Sequence, residues 1–105
     1  MTLLRSSVIG CWLGITPGGA VAASFMGYGM AKKLSRDSAS FGKGNMEGVL
    51  APETAAHAAG TSALLPMLAL GIPGSATAAV LLGGLMIWGL QPGPCLLYTS
   101  DAADE

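Results

Sequence analysis

The chain has 105 residues, of which 51% are apolar and 10% are charged, and its formal net charge is −1. Soluble domains carry about 25% charged residues, so this composition argues against a soluble domain with a charged shell. The small net charge, without a basic patch interleaved with aromatic residues, also excludes nucleic acid as the expected partner.

Charged side chains occupy only three places: Arg5, residues 32–53 and the last five residues. Residues 6–31 form an uncharged run of 26 residues, and residues 54–100 form a second run of 47 that holds only His57. Uncharged apolar runs of about 18 residues or more are typical of membrane-spanning segments. We therefore expect an all-α fold, as a fragment of a polytopic integral membrane protein.

The first uncharged run is interrupted by Pro-Gly-Gly at residues 17–19, inside a segment that extends from about residue 8 to residue 30. Proline removes an amide donor, and glycine lets the backbone turn sharply. The pieces on either side fall short of the roughly 20 residues that cross the hydrocarbon core, which predicts half-helices or a re-entrant hairpin. The four-residue spacing of Gly10, Gly14 and Gly18 predicts close packing against another helix.

A basic segment follows at residues 32–44, with four basic residues and one acidic residue. We expect this segment to be a loop between helices. Because positively charged loops stay on the cytoplasmic side of a membrane, we expect it to face the cytoplasm.

Two carboxylates, Glu47 and Glu53, border the second uncharged run, and His57 lies inside it. Ionisable groups at membrane depth are functional by default, which makes these three residues candidates for ion coupling. The alternative for Glu53, which follows Pro52, is an acid in the first turn of a helix. His57 lies four residues after Glu53 and shares its helix face, but a lone His does not predict a metal site. We expect no metal and no other cofactor apart from a coupling cation.

The second uncharged run is interrupted at residues 71–75, between Leu64 and Leu90. Both interruptions read Gly-Ile, then Pro-Gly, a small residue and an Ala-rich segment, with the two prolines 56 residues apart. Small residues recur every four positions from the second interruption onwards, which predicts a helix face that packs closely against another helix. These residues are Gly71, Ser75, Ala79 and Gly83.

The order of several short motifs resembles the large permease subunit of tripartite tricarboxylate transporters, the TctA family. The resemblance covers residues 5–94, and its most specific part is residues 47–94. The motifs are Pro-Gly-Gly at 17–19, Phe-Gly-Lys-Gly at 41–44, Glu-Gly-Val-Leu-Ala-Pro-Glu-Thr-Ala at 47–55, Leu-Gly-Ile-Pro-Gly-Ser at 70–75 and Gly-Leu-Gln-Pro-Gly-Pro at 89–94.

This resemblance implies a multi-pass permease of the bacterial inner membrane that takes up tricarboxylates or related carboxylates such as citrate. It implies two protein partners, a small membrane subunit and a periplasmic solute-binding protein. It further implies coupling to a gradient of sodium ions or protons. As an internal section of a longer permease, the fragment is not expected to transport alone.

Carried onto this chain, the motifs imply a substrate site at the two interruptions. A half-helix N-terminus offers unpaired amides and a partial positive charge to an anion, and facing discontinuous helices recur in transporters. We expect backbone amides of the glycines, with nearby hydroxyl groups, to bind a substrate carboxylate. The predicted substrate-binding residues are Thr16, Pro17, Gly18, Gly19, Pro73, Gly74, Ser75 and Thr77.

The last residues differ in character from the rest of the chain. Residues 95–105 have a short acidic end, and they resemble the read-through translation of a transposase sequencing adapter. We therefore expect two parts, a partial permease domain at residues 1–94 and a non-native tail at residues 95–105.

Other functions have weaker support in the sequence. An enzyme is not expected, because the chain has no Ser/His/Asp set, metal-ligand spacing, phosphate loop or dinucleotide fingerprint. The main alternative is a small self-contained Gly/Ala-rich membrane protein with a structural or oligomerising role. Helices that continue across Pro17 and Pro73 would favour that alternative, whereas broken helices favour the carrier. A soluble Gly/Ala-rich domain is the third interpretation.

Overall fold

A computed structural model describes residues 1–94 of the chain. The all-α part of the fold prediction is confirmed, because this part of the chain is helical and has no strand. The predicted non-native tail, residues 95–105, lies outside the described residues. The elements are α1 (Thr2–Ile15), α2 (Gly19–Leu34), a 3₁₀ turn (Ser38–Ser40), α3 (Met46–Ser62), α4 (Leu64–Leu70) and α5 (Ala76–Ile87).

None of the helices in residues 1–94 has both the length and the hydropathy that crossing a membrane by itself requires. The membrane-spanning part of the fold prediction stays a prediction.

Both predicted helix interruptions are present. The first break, residues 16–18, separates α1 from α2, and the second break, residues 71–75, separates α4 from α5. Gly18 and Gly71 have φ angles of +83° and +74°, a left-handed conformation that glycine adopts without steric cost. Because the helices do not continue across Pro17 or Pro73, the fold favours the carrier over the oligomerising alternative.

Helices α1, α2 and α3 form a bundle whose centre is made of small side chains. A Cβ atom added to Gly10 would lie 2.4 Å from the carbonyl oxygen of Ala55, and one added to Gly14 would lie 2.4 Å from that of Ala59. Such separations are possible only without side chains, so the predicted close packing at Gly10 and Gly14 is confirmed. The prediction is wrong for Gly18, which lies beyond the end of α1 and where an added Cβ would meet no atom within 4 Å. The buried small residues are Ser6, Gly10 and Gly14 in α1, Ala23 and Gly27 in α2, and Ala51, Ala55 and Ala59 in α3.

Helices α3 and α4 are separated by a bend at Ala63, which ends one helix and begins the other. Pro66 accounts for the bend, because its ring lacks the amide hydrogen and clashes with the carbonyl group four residues earlier, in Ser62. Ala63 and Met67 are both buried at this bend. The bend turns the chain towards the second break.

The loop that follows α2 is shorter than the predicted loop at residues 32–44. Lys32 and Lys33 lie in the last turn of α2, which extends to Leu34. The prediction that the loop begins at residue 32 is therefore wrong. The partial negative charge at the C-terminus of α2 stabilises the two lysine cations, so they are compatible with the last turn of the helix.

The interpretation of Glu53 as a first-turn acid is wrong. Helix α3 begins at Met46, with the side chain of Asn45 as its N-cap, so Glu47 is the acid of the first turn. Glu53 and Pro52 lie inside the helix. Pro52 is tolerated there although it removes one hydrogen bond of the helix.

The predicted row of small residues beyond the second break is not on one helix. Gly71 and Ser75 precede α5, which begins at Ala76, and only Ala79 and Gly83 lie within it. An added Cβ at Gly83 would meet no atom within 4 Å. In the described part of the chain this row therefore makes no close helix contact.

Large apolar side chains lie on the outside of the bundle. Trp12 is 76% exposed, Phe25 is 75% exposed and Val21 is 70% exposed. Small residues form the centre and large apolar residues form the surface, the reverse of the arrangement in a soluble bundle. Contiguous apolar surface of this kind marks contact with lipid or with further protein.

Candidate functional site

The two breaks meet in the folded chain. The amide of Gly18 in the first break donates a hydrogen bond of 2.9 Å to the carbonyl oxygen of Gly74 in the second break. The motifs that resemble each other in the sequence are thus brought together. We call this meeting point the Pro-Gly junction.

Two glycines at the junction leave no room for a side chain. Gly74 is buried against the α3–α4 bend, where an added Cβ would lie 3.1 Å from the Cβ of Ala63. An added Cβ at Gly19 would lie only 1.9 Å from the carbonyl oxygen of Leu13. Both glycines are therefore required for the close approach of the backbones.

The polar groups of the first break are satisfied within the protein. The Thr16 hydroxyl donates to the carbonyl oxygen of Leu13 at 2.7 Å, and the Gly19 amide donates to the carbonyl oxygen of Thr16 at 3.0 Å. The Gly18 amide is bound to Gly74, and Pro17 has no amide hydrogen. Residues 16–19 therefore offer no free donor to a ligand in this conformation, whereas the amides of Ala20 and Val21 at the start of α2 have no hydrogen-bond partner within residues 1–94.

The second break presents donors. Ser75 is the N-cap of α5, and its hydroxyl oxygen accepts from the Ala78 amide at 3.1 Å and lies 3.1 Å from the Thr77 hydroxyl oxygen. The amides of residues 74–77 have no hydrogen-bond partner within residues 1–94. Unpaired amides and the helix dipole give this end of α5 a partial positive charge. Pro73 is half-buried beside it and contributes no donor.

The three candidates for ion coupling occupy two separate places. Glu47 accepts a hydrogen bond of 2.9 Å from the Thr2 hydroxyl, which joins the N-terminal ends of α3 and α1. His57 Nε2 lies 2.9 Å from Glu53 Oε1, in the interior of α3. The prediction that Glu53 and His57 share a helix face is confirmed, and the structure adds their contact. Glu47 has no contact with either of them among the described hydrogen bonds.

The Glu53–His57 pair lies on the face of α3 that α1 and α2 leave uncovered. The Glu53 side chain is 69% exposed and the His57 side chain is 79% exposed. The pair borders a shallow groove whose remaining walls are small residues of the same helix. The lining residues are Glu53, Ala56, His57, Gly60 and Thr61.

Sequence reasoning missed two partners of the acidic residues. Asn45 caps α3 by accepting from the Glu47 amide at 2.8 Å, and an Asn immediately before a helical segment is a signal that could have found it. Thr2 gave no such signal, because its contact with Glu47 depends on α1 lying alongside α3. A second cavity forms between the helices at this end, lined by Thr2, Arg5, Ser6, Ile9, Met30, Ala31, Leu34, Ser35 and Glu47.

Comparison with known proteins assigns the chain to a family. The family model described as "Tripartite tricarboxylate transporter TctA family" matches residues 1–103. The chain belongs to the TctA family. Because this is a family of transporters, membership agrees with the expectation of a transporter component and not an enzyme.

Two curated relatives come from Agrobacterium vitis. The chain is 39% identical over 101 residues to an uncharacterized 52.8 kDa protein in the TAR-I ttuC' 3'region, a match that covers 95% of this chain and 20% of the relative. It is 42% identical over 94 residues to an uncharacterized protein in the TAR-II ttuC' 3'region, covering 89% of this chain and 39% of the relative. The chain thus spans about a fifth of the length of the first relative and about two fifths of the length of the second. No solved structure matches the chain.

Proposed function

We propose that this chain is a section of the large permease subunit of a tripartite carboxylate transporter in the bacterial inner membrane. The complete permease takes up tricarboxylates or related carboxylates such as citrate, together with a small membrane subunit and a periplasmic solute-binding protein. Membership in the TctA family supports this assignment. The section alone does not transport, because the relatives are at least twice its length.

The hydrogen bond between Gly18 and Gly74 carries the proposal for the substrate site. A carboxylate binds at the N-terminus of α5, where the free amides and the hydroxyls of Ser75 and Thr77 provide donors without burying a full positive charge. The first break, with Thr16, Pro17, Gly18 and Gly19, positions the second break. Pro73 and Gly74 give the second break the non-helical backbone that exposes the amide and hydroxyl donors.

Two features support a location in the membrane. Exposed apolar side chains such as Trp12 and Phe25 suit contact with lipid or with other helices of the permease. Non-helical backbone at membrane depth occurs where it lines a cavity, as the two breaks do in this proposal. The basic residues of segment 32–44 then face the cytoplasm.

The oligomerising alternative requires small-residue faces that are available to other chains. In this fold Gly10, Gly14 and Gly27 are already packed against α3 of the same chain. The breaks and this internal use of small residues favour the carrier.

Uptake of radiolabelled citrate by cells that express the complete permease with both partners tests the substrate site. Gly74→Val adds a branched side chain where even one Cβ is tightly packed against Ala63. We expect uptake to be lost while the amount of permease in the membrane is unchanged. The matched control is Gly83→Val in α5, where an added Cβ meets no atom and uptake is expected to persist. Normal uptake by the Gly74→Val permease would contradict the proposed site.

A further inference from the structure

We propose that the cavity between the start of α1, the end of α2 and the start of α3 binds the headgroup of a phospholipid. The headgroup carries both a phosphate and a primary ammonium, as in phosphatidylethanolamine. This proposal rests on the membrane location in the proposed function and adds a lipid site to it. The observation that carries it is the lining of the cavity, which brings together the guanidinium of Arg5, the carboxylate of Glu47 and the buried hydroxyl of Ser6.

The cavity is separate from the proposed substrate site. Thr2 lines the cavity at one end of α1, and Ile15 ends α1 at the first break. The 14 residues of α1 place the cavity and the Pro-Gly junction about 20 Å apart along the helix axis. Lys32 and Lys33 lie in the last turn of α2, at the same end as the cavity. In the proposed function this end faces the cytoplasm, where pockets between helices bind lipid headgroups.

The Ser6 hydroxyl points to a polar ligand in the cavity. Ser6 is only 3% exposed and lines the cavity, yet its hydroxyl has no hydrogen-bond partner within residues 1–94, unlike that of Ser7, which donates to the carbonyl oxygen of Leu3. Every fully enclosed polar side-chain atom in this part of the chain has a partner, so the Ser6 hydroxyl faces the open space of the cavity. Because a buried polar group is unfavourable without a hydrogen bond, a polar ligand in the cavity is stabilised by Ser6.

The cavity presents one positive and one negative side chain. Glu47 is half-buried, and one of its carboxylate oxygens accepts from the Thr2 hydroxyl at 2.9 Å. Arg5 is exposed at the mouth of the cavity, and in the described part of the chain it forms no ion pair with Glu47. Guanidinium groups bind phosphate, and carboxylates accept strong hydrogen bonds from ammonium groups. A headgroup with both charges satisfies both side chains, whereas an anionic headgroup would bring negative charge next to Glu47.

The size of the cavity determines which part of the headgroup enters it. Its volume is about 50 Å³, and one water molecule needs about 10–15 Å³, so the cavity holds a group of only a few heavy atoms. A primary ammonium fits and can donate to Glu47 and Ser6. The trimethylammonium of phosphatidylcholine is larger and has no N–H to donate. The phosphate stays at the mouth, beside Arg5.

The outer wall of the cavity distinguishes a lipid from a soluble phosphate ester. Ile9, Met30 and Leu34 line it, and Met30 and Leu34 are exposed to the outside of the bundle. This apolar wall continues into the exposed apolar surface of α1 and α2, which suits contact with acyl chains. A lipid therefore places its headgroup in the cavity and its acyl chains along the helices.

The test measures lipid binding to the complete permease, purified with its partner subunits and freed of lipid in detergent. Native mass spectrometry gives the Kd of phosphatidylethanolamine, phosphatidylcholine and phosphatidylglycerol with identical acyl chains. We expect phosphatidylethanolamine to bind about tenfold more tightly than phosphatidylcholine, because one hydrogen bond to a charged group accounts for a factor of this size. Glycerophosphoethanolamine, the same headgroup without acyl chains, is expected not to displace the lipid at equal concentration.

Two variants test the charges separately. Glu47→Gln keeps an oxygen that can accept from Thr2 but removes the negative charge, so it is expected to lose the preference for phosphatidylethanolamine and to bind phosphatidylglycerol more tightly. Arg5→Gln is expected to weaken the binding of both lipids, because both carry a phosphate. The matched controls lie outside the cavity. They are Glu53→Gln on α3 and Lys43→Gln in the basic loop, and both should bind the lipids as the wild type does.

The outcomes separate this proposal from the transport function, which is measured as citrate uptake by cells that express the same permease. Equal binding of phosphatidylethanolamine and phosphatidylcholine by the wild type would overturn the lipid site, as would a Glu47→Gln permease that keeps the wild-type preference. Displacement by glycerophosphoethanolamine would overturn the assignment to a lipid. Selective lipid binding without citrate uptake would contradict the transport function and leave the lipid site intact. Recovery of the permease in the soluble fraction would overturn both proposals.

Discussion

The first and second breaks have similar sequences but different hydrogen bonding. In the first break the hydroxyl of Thr16 and the amides of Gly18 and Gly19 all donate within the protein. In the second break the amides of residues 74–77 are free among the described residues, and Ser75 caps the helix that follows. The starts of the two following helices are alike in one respect, because the amides of Ala20 and Val21 also have no hydrogen-bond partner within residues 1–94. The breaks therefore differ in the residues before the helix and in the side-chain cap.

The physical origin of the difference is the geometry of the two connections. The first break is a tight turn of three residues, in which the Thr16 hydroxyl and amide donate to the carbonyl oxygen of Leu13 in α1 and the Gly19 amide donates to that of Thr16. The second break has five residues and an extended N-cap at Ser75, with φ −150° and ψ 164°. An extended N-cap leaves the first amides of the helix pointing outwards.

The largest effect is expected from disturbing the first break at Gly19. In Gly19→Ala the new Cβ would overlap the carbonyl oxygen of Leu13, so α2 cannot begin where it does. Overpacking of this kind costs about 1–3 kcal/mol or more. We expect a clear fall in the thermal midpoint of the purified complete permease and in its amount in the membrane.

Two controls separate crowding from backbone strain. An added Cβ meets no atom at Gly29, so Gly29→Ala should leave the midpoint almost unchanged. In Gly18→Ala the added Cβ also meets no atom, but residue 18 has a φ of +83°. This left-handed conformation costs alanine about 1–2 kcal/mol of stability. If Gly19→Ala were as stable as Gly29→Ala, the packing described at the first break would be incorrect.

A smaller effect is expected from removing the cap of the second break. Ser75→Ala deletes the oxygen that accepts from the Ala78 amide, and loss of such a cap costs about 1 kcal/mol. We expect a modest fall in the thermal midpoint and a higher KM for citrate. Ser75→Asn keeps an N-cap acceptor and should restore the midpoint. Equal midpoints for Ser75→Ala and the wild type would show that Ser75 does not cap α5 in the complete permease.

Local features of the fold could be predicted from the sequence. Proline and glycine act on their own residue and its neighbours, so the breaks at Pro17 and Pro73 were predicted correctly. The shared helix face of Glu53 and His57 was predicted because spacing within one helix fixes it. The helix ends were harder to predict, since Lys32 and Lys33 are as compatible with a helix C-terminus as with a loop.

The resemblance implied one site at both breaks, but the hydrogen bond between Gly18 and Gly74 that joins them could not be predicted from their similarity. It depends on the close packing of α1 against the alanines of α3 and on the bend at Ala63, which together set where the second break lies. Nor could the sequence show that the donors of the first break are already occupied. That outcome depends on how near the carbonyl oxygens of Leu13 and Gly74 lie in the folded chain.

Protection of a single cysteine by substrate tests most directly whether the second break binds a carboxylate. Thr77→Cys and, for comparison, Trp12→Cys are introduced into a cysteine-free version of the complete permease, and the rate of maleimide modification is measured with and without citrate. Both positions are exposed in this structure. We predict that citrate slows modification of Thr77→Cys and leaves Trp12→Cys unaffected. Equal rates at Thr77→Cys with and without citrate, in a permease that still takes up citrate, would contradict the binding site at the Pro-Gly junction.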